Sequence, residues 1–120
     1  MNDFVAGDLT LAVNAARRDA IELTWLGRSN DRNPDKLLTP YWDAALVEAA
    51  ERRVPIELHF QKLQHFNSST ITVIIQFIQE ARRRGAHLVV FYDQALKWQK
   101  LSFDAMRVFV KDELFQLRSV

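Results

Sequence analysis

Residues 55–92 read PIELHFQKLQHFNSSTITVIIQFIQEARRRGAHLVVFY, and the fold is decided in this stretch. Ile56, Leu58 and Phe60 alternate with Glu57 and His59, the period of a half-buried strand. Pro55 blocks continuation of any helix that precedes it. Ile71, Ile74, Ile75 and Ile78 then recur at helical spacing, and Val73, Phe77 and Ala81 widen the stripe, so a largely buried helix follows. Its β-branched residues are mediocre helix formers, which leaves packing to hold it. Arg82-Arg83-Arg84 suits the negative end of the helix dipole, and Gly85 is placed for the C-cap. Leu88-Val89-Val90-Phe91-Tyr92 is an unbroken apolar run, suited to an interior strand covered on both faces. Strand, helix and strand at this spacing predict a parallel crossover.

Toward the N-terminus, Leu9, Leu11 and Val13 alternate with Thr10 and Ala12. Ile21, Leu23 and Trp25 alternate with Glu22 and Thr24, which predicts a hairpin across the polar break Asn14 to Asp19. Arg28 to Lys36, with Asn30, Asp31, Asn33 and Pro34, predicts a surface loop. Thr39-Pro40 has the form of an N-cap followed by proline in the first helical position. It opens an amphipathic helix on Trp42, Ala45, Leu46 and Ala49 that ends near Arg52-Arg53. Toward the C-terminus, Lys97-Trp98-Gln99-Lys100 reads as a connection, and Ser102 caps a final helix carrying Phe103, Met106, Val110, Leu114 and Leu117. The expected fold is α/β, in one domain over residues 1–120. It has a mixed sheet of about four strands, an N-terminal β-hairpin and three main helices, in the order β-β-α-β-α-β-α.

Composition narrows the function classes. With 48% hydrophobic and 26% charged residues, the 120-residue chain carries enough apolar surface for a core of its own. A net charge of +1 is too small for the broad positive field of a nucleic-acid binder, so no nucleic-acid partner is expected. No apolar stretch approaches the roughly 18 to 20 residues of a membrane span, and Met1-Asn2-Asp3-Phe4 has no signal pattern. A cytoplasmic location without a membrane partner is the expectation. The absence of cysteine excludes disulfides, thiolate metal sites and cysteine nucleophiles. With three glycines and no Gly-x-x-x-x-Gly-Lys or Gly-x-Gly-x-x-Gly, there is no glycine-rich nucleotide loop. His59, His65 and His87 lack the spacing of a zinc site. His65 precedes Ser68 by three residues, but there is no Gly-x-Ser-x-Gly elbow and no acid placed to orient the imidazole. No enzyme, metal or cofactor is therefore expected.

The junction Phe66-Asn67-Ser68-Ser69-Thr70-Ile71 is the candidate site. A hydroxyl there lies among unpaired helix N-terminal amides, where a phosphate is electrostatically favoured and adds about two negative charges. Helix capping alone accounts for one or two of these polar residues, at about 1 kcal/mol each. The pair nonetheless follows a strand at its carboxyl end, where α/β folds present ligands and modifiable groups. Arg82-Arg83-Arg84 reads as dipole complement and solvated surface. Trp98 and its flanking lysines are either a partner-facing patch or a cover for the core edge. The final helix offers an apolar edge for a homodimer.

From Pro55 to Phe109 the chain resembles the STAS family, the anti-sigma-factor antagonist domains. There a strand ends in an apolar residue, followed by Asp-Ser-Ser or Asp-Ser-Thr, then Gly and a hydrophobic helix. Ile56-Glu57-Leu58-His59-Phe60 matches the strand, Phe66-Asn67-Ser68-Ser69-Thr70-Ile71 the motif, and Arg84-Gly85-Ala86-His87-Leu88 the helix end. The resemblance implies a non-enzymatic bacterial protein-interaction domain. Its Ser68, or alternatively Ser69, is phosphorylated by a partner serine kinase of the anti-sigma type and restored by a phosphatase. It also implies that Phe66, Asn67, Ser68, Ser69 and Thr70 meet the partner. Asn67 in place of Asp removes a charge beside the acceptor. Thr70 in place of Gly puts a β-branched side chain where the family leaves room for a partner's backbone. Both departures are similar to a STAS-like bacterial subset carrying Asn-Thr-Ser-Ser, which acts in partner switches controlling cyclic-di-GMP synthesis and biofilm formation. Two alternatives stay open: a switch acting on a cyclic-di-GMP synthase, and a constitutive scaffold that is never phosphorylated.

Overall fold

In the computed structural model, which describes residues 1–120, strands β1 (Phe4–Ala6), β2 (Leu9–Val13) and β3 (Ile21–Ser29) precede helix α1 (Pro34–Arg52). Then come β4 (Ile56–His59), β5 (Leu63–Phe66), α2 (Ser68–Arg83), β6 (Leu88–Tyr92), α3 (Lys97–Ala105), a 3-10 turn (Met106–Phe109) and β7 (Phe115–Ser119). The seven strands form one mixed sheet in the order β1-β2-β3-β4-β6-β7, with β5 also paired to β3. The β1–β2 and β2–β3 pairs are antiparallel, and the remaining pairs are parallel.

Alternation along the strands explains the layers. Ile21, Leu23 and Trp25 of β3, Ile56 and Leu58 of β4, and Leu88, Val90 and Tyr92 of β6 are buried. Glu22, Thr24, Glu57, His59, Val89 and Phe91 point the other way and are only half-buried. The helices cover one face, which corrects the expectation that β6 is sheltered on both. Side chains of the open face shelter one another instead. The His59 ring stacks on Phe91 at 4.4 Å and 12°, and the Arg118 guanidinium lies 5.8 Å from the Phe91 centroid. On the covered side, 26 buried side chains form one hydrophobic cluster. Trp42 of α1 stacks on Phe77 of α2 at 4.4 Å, and Trp25 of β3 lies 5.6 Å from Trp42 and 4.7 Å from Phe60. These aromatics fasten both long helices to the centre of the sheet.

Three boundaries differ from the sequence reading. Arg28 and Ser29 belong to β3 and Pro34 to Lys36 to α1, so the loop shrinks to residues 30–33. β3 extends because Arg28 N–H donates to Asp8 O at 3.0 Å on one side, while Arg28 and Ser29 pair with His65 and Phe66 of β5 on the other, past a register shift beside Gly27. Gly27 has φ +84, and a Cβ there would lie 2.0 Å from Asp8 O, so only glycine fits. Helix α1 begins at Pro34 rather than at Thr39-Pro40, since Pro34 and Leu38 are buried and continue the apolar stripe one turn earlier. The expected final helix capped by Ser102 is the largest error. Helix α3 starts at Lys97, the chain passes through the 3-10 turn, and Phe115 to Ser119 form β7 beside β6. Asp112 Oδ1 accepts the Leu114 N–H at 2.9 Å, and Leu114 O accepts the Leu88 N–H at 2.8 Å, which opens the ladder. The sheet therefore has seven strands rather than about four, and the apolar edge of a long final helix, offered for dimerisation, does not exist. No helix is long and apolar enough to cross a membrane.

Candidate functional site

β5 delivers the chain to the serine junction. Phe66 is buried, edge-on to Trp98 at 5.1 Å and to Phe103 at 5.7 Å. Asn67 follows in an extended conformation, φ −89 and ψ 173, and caps α2. Its Oδ1 accepts the Thr70 N–H at 2.9 Å and the Thr70 hydroxyl at 2.7 Å, while its Nδ2 donates to Asp31 O at 2.8 Å. Its own N–H donates to Ser29 O at 3.0 Å. The Thr70 and Ser29 hydroxyls, both buried, lie 2.6 Å apart. The end of β3, the loop 30–33 and the start of α2 are thus joined through one carboxamide used at both ends. An aspartate cannot donate to Asp31 O, which accounts for asparagine at this position.

Of the five residues expected to meet a partner, two are turned inward. Thr70 is 0% exposed, so its β-branched side chain fills the protein interior and takes no room from a partner. Phe66 is likewise buried. Asn67 and Ser69 are half-buried, and Ser68 is exposed. The Ser68 hydroxyl forms no hydrogen bond within the chain, whereas Thr72 donates to Ser68 O at 3.2 Å and the Asn67 and Thr70 side chains are engaged. The Ile71 N–H bonds Asn67 O and the Thr70 N–H is capped, which leaves the first two amides of α2, those of Ser68 and Ser69, without a partner in the chain. The contact between Phe66 and Trp98 sets α3 beside this junction, and Leu101, one turn further along, is 65% exposed. Trp98 is half-buried, so it both covers the core edge and borders the junction. His65 makes no hydrogen bond to Ser68 or to any acid.

The triple arginine is fully engaged. Arg82 grips Asp112 through two bonds of 3.1 and 2.7 Å, Arg83 pairs with Glu80, and Arg84 reaches Glu80 and Asp43. Arg83 and then Arg84 hold the Glu80 carboxyl down at about 2.

One cluster lay outside the sequence reading. On the open sheet face, donor atoms of Glu22, Glu57 and His59 lie within 4.8 Å of one another, a set that in other settings holds a metal. Here Arg17 bonds Glu22 at 2.7 Å and Glu57 at 3.1 and 3.2 Å, and also reaches Asp19 at 2.8 Å. Burial alone would raise the Glu57 carboxyl. Hydrogen bonds from Arg17 and then His59 outweigh burial and hold it below the usual glutamate range. The arginine supplies the positive charge these groups require, and the arrangement is a closed ion-pair network. Glu57 and His59 share a face by the strand period, but their meeting with Glu22 and Arg17 depends on the parallel register Glu22↔Glu57.

No protein-family model matches the chain, and no curated protein matches it.

Proposed function

We propose that this chain is a STAS-like regulatory domain that docks a protein partner and is gated by reversible phosphorylation of Ser68. One observation carries the reading. The Ser68 and Ser69 hydroxyls are both free of internal hydrogen bonds, but of the two only Ser68 is exposed, while Asn67 and Thr70 are tied into the fold. Ser69, half-buried, is the secondary acceptor. A partner serine kinase transfers the terminal phosphoryl group of a nucleoside triphosphate to the Ser68 oxygen: the Oγ–P bond forms as the P–O bond to the departing nucleoside diphosphate breaks, and the hydroxyl proton leaves with the kinase's base. The product carries about two negative charges at a helix start. The unmodified surface around Ser68, next to the Phe66–Trp98 contact, docks by shape and apolar contact. A phosphate there must be desolvated on docking, so the complex weakens unless the partner offers Arg or Lys. A phosphatase resets the switch. The downstream target is an anti-sigma-type regulator or, by the likeness of its Asn-containing motif, a protein controlling cyclic-di-GMP synthesis.

Intact-mass measurement of protein purified from its own host, followed by peptide mapping over residues 61–82, tests the gate. A phosphate on Ser68 is expected. Binding assays with the captured partner should then separate Ser68→Ala from Ser68→Asp by tenfold or more. Native protein that is never modified, with Ser68→Ala behaving as wild type in the cell, would leave only a constitutive scaffold.

A further inference from the structure

The largest cavity lies at the end of α2 remote from Ser68. A groove of about 800 Å³ opens between the last turns of α1 and the loop that follows α2. Leu46, Ala49, Val54 and Ala86 contribute apolar surface, and Val47, 51% exposed, stands among its walls. This volume is that of a small-molecule site. Two helices end here, and free helix-end carbonyls disfavour anions. Several of these carbonyls are already engaged. Val54 N–H bonds Ala49 O at 3.1 Å, Ala86 N–H bonds Ala81 O at 2.8 Å, and Gly85 N–H bonds Arg82 O at 3.0 Å.

The polar side chains lining the groove are those of Arg53, Arg84, His87 and a single acid, Glu51. Arg84 is held by Glu80 and Asp43, whereas the side chains of Arg53 and His87 form no hydrogen bond or ion pair in the chain. Arg53 is also the only non-glycine residue with positive φ, at φ 56 and ψ 48. Glycine is favoured in that conformation, and Gly85, at φ 71, occupies the corresponding place after α2. Stability alone argues against an arginine at position 53, and no internal contact uses its guanidinium. We infer that the groove binds an amphipathic carboxylate, with the apolar body against Leu46, Val54 and Ala86 and the carboxylate held by the Arg53 fork with His87 as second donor. Two inputs would then reach opposite ends of α2, a small ligand at its C-terminus and a covalent charge at its N-terminus.

Titration of the isotope-labelled full chain with decanoate, below its micelle concentration, tests this inference. Decan-1-ol and decyltrimethylammonium serve as controls of equal chain length. Saturable shifts confined to residues 46–55 and 84–88 are expected, with decanoate at least tenfold tighter than either control. Arg53→Gly should raise the melting temperature and weaken decanoate binding at least tenfold, which separates a ligand role from a structural one. Equal binding of the three probes, shifts scattered over the surface, preference for an acidic peptide, or unchanged decanoate affinity in Arg53→Gly would each overturn it. The outcome does not depend on whether Ser68 is phosphorylated.

Discussion

Thr70 sits where a hydroxyl relay has one consistent direction. Asn67 Oδ1 is an acceptor only, so Thr70 donates to it, and Ser29 must donate to Thr70 across the 2.6 Å contact. Replacing Thr70 with valine keeps the shape and removes the middle of the relay, leaving the buried Ser29 hydroxyl without its acceptor. Urea titration of Thr70→Val should show a loss of about 1–3 kcal/mol. Thr70→Gly, the residue of the STAS pattern, should lose more, because a buried side chain goes with the hydroxyl. Asn67→Asp acts elsewhere: the cap is retained, since Asp and Asn cap comparably, but the donor to Asp31 O is gone. Hydrogen exchange should accelerate in residues 30–33 of that variant and stay unchanged within α2. The sequence places a helix start and a capping role at this junction, without deciding which of the four polar residues caps. It did not show that Thr70 faces inward, because its partner Ser29 is 41 residues away and is brought near only by the sheet.

At the scale of elements, α1 contains a proline it does not need. Pro40 lies in the second turn of a helix that begins at Pro34, so it removes one backbone donor inside the helix while remaining exposed. Pro40→Ala should therefore stabilise the chain, by about 1–3 kcal/mol, as a raised melting temperature. No change would mean that the local backbone already accommodates the ring without strain. The same proline misled the sequence reading, since Thr39-Pro40 and Asn33-Pro34 both have the form of a helix start. Only the burial of Leu38 decides between them. The C-terminal segment was ambiguous for a related reason. Phe103, Met106, Val110, Leu114 and Leu117 fit a helical stripe, while Phe115 and Leu117 alternating with Gln116 and Arg118 fit a strand. The β6 edge settles it by offering a ladder from Leu88↔Phe115 to Tyr92↔Ser119. Phe115→Ala should cost about 3–5 kcal/mol, because the side chain is buried in the core and not on a solvated helix end.

For the molecule as a whole, a net charge of +1 conceals how its charges are arranged. Arg17, Arg52, Arg82, Arg83, Arg84 and Arg107 are paired with nearby acids, and Asp19, Glu48, Glu57, Glu80 and Asp104 all titrate below their ordinary values. A carboxyl whose folded pKa is depressed favours the native state when ionised. Its contribution is complete above the unfolded value, 4.5 for glutamate, and is lost as the pH falls through the lower folded value. Asp19 is exposed, and Glu80 and Asp104 lie half-buried at the surface, where salt screens their pairs, so they contribute little. Glu57 is the better sheltered member, half-buried against Arg17 and His59 on the open sheet face. Melting temperature should therefore fall as pH is lowered from about 5 toward about 2, and this fall should persist in high salt more than surface pairs allow. Arg17→Met removes the cation that holds Glu57 down. The gap in melting temperature between wild type and variant should be widest near neutral pH and close as Glu57 protonates. A gap of constant width across that range would show that Arg17 acts by packing its stem against the sheet, with its charge contributing nothing.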